Sequence, residues 1–248
     1  MTAPETSFSV RVDLTNPGQF LACCGLLELA HRLWPGAEGW FEGESFVVGL
    51  PCKEASPLGT ILERLGASAV KADETRGDKS TRPVQLEGFA LTLDWWIDHT
   101  GEKTSLKLWA GQQTSLTIVE TLQPAVARLA EKPTDGILDV GEPLTGRYGF
   151  DPRSAWNTLD VGFSPNEQGM AVDTFAAVEL LAAVGLQGFR PVPNEGRRWR
   201  YVTWDIPLAA PIARAACAAA IPVRGASAYQ FRVASRGSYK GFSYATSL

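Results

Sequence analysis

Histidine is nearly missing from this sequence: 248 residues contain two, His31 and His99. General acid–base chemistry built on histidine therefore has only these positions to work from. His31 falls in an apolar, helix-like run, where a packed or rim role is the ordinary one. His99 falls in a turn where the sequence supplies no evident partner. Cysteine is sparse as well. Cys23, Cys24, Cys52 and Cys217 form neither a CxxC pair nor a metal-ligand spacing, which points to reduced thiols in a cytoplasmic chain.

Long apolar runs are absent because Glu28 and Arg32, or proline and glycine, interrupt each one, so no membrane span is expected. Met1–Ser7 has no basic region followed by an apolar run, so no secretory signal is expected. There is no GxxxxGKS/T phosphate loop, no HExxH, no GxSxG and no dinucleotide fingerprint after the first strand. No carboxylate pair stands out as an acid–base or metal site. These absences argue against an enzyme, and no cofactor or metal is expected.

What is present reads as globular: 45% hydrophobic and 20% charged residues, enough chain to bury a sizeable core. We read 1–248 as a single domain with a soft boundary near 135–146 and a basic C-terminal part, 190–248. The net charge of −4 hides that division. From Arg190 to Leu248 nine basic residues face two acidic ones, a balance of +7, while the other 189 residues carry −11. Such asymmetry suggests a polyanion held on one face, and the acidic remainder argues against free-standing, nonspecific binding.

Along the chain, Ser7–Leu14 alternates as a half-buried strand, with Phe8, Val10, Val12 and Leu14 on one side. Asn16-Pro17-Gly18-Gln19 starts a helix that runs to about Trp34, with Asn16 as N-cap and Gln19 reaching back. Gly39–Leu50 reads as one or two strands around Gly43, and Ser56-Pro57 begins a helix through Leu65. Lys71–Pro83 is a mixed-charge exposed loop. Leu86–Trp96 reads as a long strand, paired through a turn at Asp98–Gly101 with Ser105–Ala110. A helix follows over Ser115–Ala130, kinked or split by Pro124. The opening strand–helix–strand order leads to an α+β expectation: a ferredoxin-like, RRM-related core with an antiparallel sheet and inserted helices.

Gly146–Pro191 is the stretch around which the chain is organised. Arg147, Tyr148, Phe150, Arg153, Trp156, Asn157, Asn166 and Gln168 alternate there with Gly146, Gly149, Gly162 and Gly169. Aromatic and amide side chains offer stacking surface and paired donors and acceptors, so Arg147, Arg153, Asn166 and Gln168 form a candidate recognition loop. A helix over Phe175–Val184 follows, with Asp173 or Thr174 as cap.

The basic quarter supplies the candidate nucleic-acid-binding residues: Arg197, Arg198, Trp199, Arg200, Arg224, Arg232, Arg236, Tyr239, Lys240 and Phe242. Arginine pairs with phosphate bidentately and stacks on bases, and Trp199, Tyr239 and Phe242 are the expected stacking rings. Tyr201–Ile206 reads as a strand, Pro211–Ala220 as a helix, and Tyr229–Leu248 as a closing hairpin turning at Gly237. Within it, Lys240-Gly241-Phe242-Ser243-Tyr244 has the basic-Gly-aromatic-small-aromatic order of the RNA-binding strand of RRM domains, with Ser247 where a further aromatic belongs.

Three segments, Asn16–Trp34, Leu93–Gln113 and Tyr148–Pro191, resemble a small Csb-type, large-subunit-like CRISPR-associated protein of type I-U (I-G) systems. The resemblance implies a non-catalytic subunit of a crRNA-guided, Cascade-like surveillance complex in antiviral defence. Its partners would be crRNA, target DNA and other effector subunits (those of the backbone and the guide ends), with a helicase-nuclease recruited separately and no membrane. The alternatives are a guide-processing endoribonuclease using His31 or His99, or a purely architectural subunit.

Overall fold

The computed structural model describes residues 5–109, 113–154, 172–236 and 239–248. The chain opens with β1 (Thr6–Arg11) and α1 (Pro17–Leu33). The helix begins where the sequence places it: the Asn16 side chain accepts from the Gln19 backbone N–H, and Pro17 fills a position whose N–H would have no partner. The Gln19 side chain reaches back further than a capping box, to the Asp13 N–H at 2.6 Å. Next come β2 (Glu38–Glu42) and β3 (Ser45–Gly49), a hairpin turning at Gly43 with φ +58°, and α2 (Pro57–Ala67).

The expected long strand is broken. β4 (Val70–Ala72), β5 (Val84–Leu86) and β6 (Leu91–Leu93) form a small sheet, and a 3₁₀ turn with Ala90 in the left-handed region separates the last two. Ending the strand at Leu93 lets Trp95 and Trp96 both turn inward, where strict alternation would expose one of them. Ser105–Ala110 does not pair as the second strand either: within 105–109 there is no strand, and a lone Ile97–Lys103 bridge replaces the hairpin.

α3 (Ser115–Glu131) carries Pro124 inside one continuous helix and is started by a reciprocal Thr114–Thr117 cap. β7 (Glu142–Leu144) pairs with β8 (Val172–Thr174), and α4 (Ala176–Gly188) follows with Phe175 as N-cap, making no side-chain cap bond. The chain then runs through β9 (Val192–Asn194), β10 (Arg198–Val202), β11 (Leu208–Ala209) and α5 (Ala210–Cys217). β12 (Ala228–Arg236), β13 (Tyr239–Phe242) and β14 (Thr246–Ser247) close it.

The architecture is mixed α+β with antiparallel sheets. One sheet has the order β1-β3-β2-β11, so β1 and β2 flank β3 and are antiparallel to it. The basic quarter builds the other main sheet, β13-β12-β10-β9, with β14 also on β12. α1 and α4 cross in the centre at backbone contact: a Cβ at Gly25 would overlap the Leu181 carbonyl, and one at Gly185 would overlap the Leu21 carbonyl. The wet strip of α1 is covered too, because buried Glu28 accepts from Arg32 at 2.8 Å and pairs with Arg214 of α5. A single hydrophobic cluster draws residues from Val10 to Ala245. Phe20 of α1 stacks on Tyr201 of β10 at 4.1 Å, which fastens the C-terminal sheet to the first helix. No helix among the described residues is long and apolar enough to cross a membrane.

Candidate nucleic-acid interface

Cross-strand register sorts the C-terminal sheet into two faces. Trp199 lies opposite Phe231, Tyr201 opposite Tyr229, and Val233 opposite Phe242, and these residues turn toward the core. Phe231 and Phe242 approach to 4.6 Å, and Tyr201 stacks on Tyr229 at 5.5 Å. The outer face carries the alternate set: Asn194 and Arg198 on neighbouring strands, Arg198 opposite Arg232, and Arg200 opposite Gln230. The Asn194 amide donates to Gln230 Oε1 at 3.2 Å on the same face.

None of Arg197, Arg198, Arg200, Arg224 and Arg232 has a carboxylate within 4 Å among the described residues. The arginines elsewhere are mostly taken up: Arg76 by Asp94, Arg82 by Glu74 and Arg128 by Glu142. Like charges directly opposite on a sheet repel. Arg198 and Arg232 are therefore held together by the fold at an electrostatic cost, in a form that suits a line of phosphates.

The expected stacking rings are divided by the fold. Phe242 is fully buried, packed on Phe150 and Phe231, so it offers no surface to a base. The RRM-like string fails here for a specific reason: the Phe242 N–H donates to the Gly149 carbonyl and the strand docks on the glycine loop. Trp199 is half-buried at the edge of the core. Arg236 and Tyr239 pair at the end of the hairpin, and their side chains lie outside the described residues.

The candidate recognition loop also divides. Arg147 is buried, and its charge acts on Glu179. Arg153 bonds the Leu138 carbonyl and Asp151 Oδ2, both at 2.7 Å, and Asp139 Oδ1 at 3.0 Å, while its guanidinium lies 3.4 Å from the Phe175 ring centre. These two arginines are structural; neither is free to read a ligand. Asn166 and Gln168 lie outside the described residues.

What holds this loop is a residue that sequence reading passed over. The Glu179 carboxylate of α4, fully buried, accepts four backbone N–H bonds: from Tyr148 and Gly149 at 2.8 and 2.9 Å on Oε2, and from Phe150 and Asp151 at 3.0 and 3.1 Å on Oε1. Burial raises its pKa, against the pull of those amides and of Arg147. Gly149, at φ +96°, brings the loop backbone beside the Lys240 carbonyl, where a side chain would crowd it.

Two further cations were passed over: Lys107 lies within the stretch that reads as a strand, and Lys103 just before it. Lys107 donates to the Trp109 carbonyl and sits 4.6 Å from that indole. Burial, then the charges of Lys103 and Lys240, lower its pKa to about 8, with Asp78 opposing. Lys103 in turn bonds Asp78 at 2.8 Å and helps hold that carboxyl well below the usual range. The 103–109 segment thus brings positive charge up to Lys240 of β13. A cleft of about 530 Å³ lies beside it, bounded by Ser105, Arg197, Arg198, Trp199, Ser235 and Lys240.

Neither histidine lines this cleft. His99 is exposed in its turn, and half-buried His31 has a buried Nδ1 without a hydrogen-bond partner among the described residues. No group of three or more His, Cys, Asp or Glu suited to a metal ion occurs among the described residues. Comparison with models of known protein families, with curated proteins and with solved structures gives no match.

Proposed function

We propose that this chain is a non-catalytic, nucleic-acid-binding subunit of a crRNA-guided type I CRISPR surveillance complex. In this reading the outer face of β9, β10 and β12 carries the phosphate backbone of crRNA or target DNA. The observation that carries the binding part is Arg198 set opposite Arg232, with Arg200 alongside and no carboxylate near any of them among the described residues. The acidic remainder of the chain limits contact to that face. The complex, its other subunits, the separately recruited helicase-nuclease and a cytoplasmic setting rest on the sequence resemblance.

The run β1-α1-β2-β3-α2 has the order and strand arrangement of the first five elements of a ferredoxin-like split βαβ unit, and we read it as such a core. Among the described residues no strand lies beside β1 on its outer edge, and β11 pairs at the opposite edge, next to β2.

The test is binding of labelled 30-nucleotide RNA and DNA single strands across a salt series, by wild type and by an Arg198→Ala, Arg200→Ala, Arg232→Ala triple variant. A steep salt dependence that flattens in the variant is expected. Equal binding by both proteins would sink the basic-face part. Copurification of guide-length RNA from cells carrying the locus tests the complex, and its absence there would count against it.

A further inference from the structure

The outer arginine face accounts for a backbone track, but not for the cleft on the inner side of the same sheet. Trp199, Val233 and Ser235 share the core-facing side by register, and Lys240 stands opposite Ser235. The core covers this face as far as Phe231 and Phe242, and beyond them the same face forms one wall of the cleft toward Ser105. Apolar and charged lining therefore meet in one place: half-buried Trp199 and Val233 share the cleft with Arg197, Arg198, Lys240, Ser105 and Ser235.

The volume, about 530 Å³, falls in the range of small-ligand sites. The lining suits a flat ring joined to an anion: the indole stacks, cations hold phosphate, and hydroxyls meet sugar or base edges. Arg197 adds a second sign. It and Gly196 are both in the left-handed region, at φ +58° and +67°, a conformation that costs a non-glycine residue free energy. The adjacent turn sets Arg197 at the rim of the cleft.

We infer that this cleft lodges a single nucleotide, its base against Trp199 and its phosphate among Arg197, Arg198 and Lys240. This deepens the nucleic-acid reading and rests on it: the outer face follows the backbone, while the cleft takes one unit turned out of the strand.

The test uses the full chain with adenosine and uridine 5′-monophosphates, titrated by saturation-transfer NMR, and with a labelled uridine 12-mer read by anisotropy. Ser235→Phe fills the cleft from an exposed strand position and leaves every charge in place. Trp199→Ala removes the stacking surface, and the urea unfolding midpoint of each variant shows that it is folded. The wild type is expected to bind the mononucleotides, with about tenfold weaker binding in both variants. Binding of the 12-mer by Ser235→Phe should weaken too, but by less than mononucleotide binding, because the outer-face arginines still hold the backbone. Displacement of the mononucleotide by the 12-mer is expected and identifies the occupant as a unit of a strand, whereas simultaneous binding would overturn the strand-unit reading of the cleft. If the 12-mer binds and neither mononucleotide does, or if Ser235→Phe binds mononucleotides like the wild type, the cleft inference falls while the backbone track stands. If the 12-mer fails to bind the wild type, both fall.

Discussion

Arg198 of β10 faces Arg232 of β12 as a direct cross-strand pair, with no carboxylate within 4 Å of either among the described residues. A folded protein holds two like charges this way against their repulsion, and under the proposed nucleic-acid reading the arrangement trades stability in the free chain for affinity toward a polyanion. Replacing Arg232 with threonine keeps the strand preference and removes the repulsion. Urea unfolding is expected to show a gain of roughly 0.2–1 kcal/mol. The slope of log affinity for single-stranded RNA against log salt should fall by about one. A stability loss with an unchanged slope would contradict both halves.

Lys107 gives a pH signature. Its native pKa of about 8 lies below the ordinary lysine value of about 10.4. Between these values the unfolded chain holds the proton and the native chain does not, so this group's contribution to stability rises with pH. A phosphate brought up to Lys240 reverses the preference and favours the ammonium. Binding should therefore take up a proton near pH 8, and affinity should fall as the pH rises through that value. Calorimetric titration of oligonucleotide in buffers of different ionisation heat measures the proton. Lys107→Met should abolish the buffer dependence, and its survival in that variant would remove Lys107 from the interface.

Glu179 is the pin of the glycine loop. In Glu179→Gln one carboxylate oxygen becomes an NH₂ group facing two of the four N–H donors that the acid satisfies. Two buried donors then have no acceptor, and a loss of about 2–4 kcal/mol is expected in urea unfolding. The near-ultraviolet circular dichroism should change with it, since Tyr148 and Phe150 pack on Trp95 at 5.7 and 5.2 Å. A loss under about 1 kcal/mol would mean that the loop is held by its aromatic contacts alone.

The α1–α4 crossing predicts a contrast between glycines. Gly185→Ala drives a methyl into the Leu21 carbonyl and should cost about 3 kcal/mol or more, since two helix backbones must part. Gly43→Ala in the β2–β3 turn meets nothing within 4 Å and should cost about 1 kcal/mol, from its positive φ alone. Similar unfolding midpoints for the two variants would mean that the crossing relaxes freely.

Local signals read well from the chain where the local chemistry is decisive. Asn16-Pro17 starts α1, Gly43 turns the first hairpin and Ser56-Pro57 opens α2, because each needs only a cap, a fixed φ or a tolerated positive φ. The stretch after Leu86 misled because apolar alternation continues through Trp95, while Ala90 breaks the strand and tertiary packing turns both tryptophans inward. Phe242 misled for a related reason. The RRM-like string shows a basic residue, a glycine and an aromatic in order, but the facing of that aromatic depends on Val233 across the ladder and Phe150 from another segment.

The amino-acid sequence by itself determined the separation of charge, +7 in the last quarter against −11 before it, since composition is independent of conformation. Only the tertiary structure decided which arginines are free. Arg214 is consumed by Glu28 and Arg76 by Asp94, acids that lie near them only in the fold, whereas strand register sets Arg198, Arg200 and Arg232 on one face. Whether a cation is spent or available depends on what lies within a few ångströms of it, and a chain that brings residue 28 to residue 214 does not display those neighbours in its order.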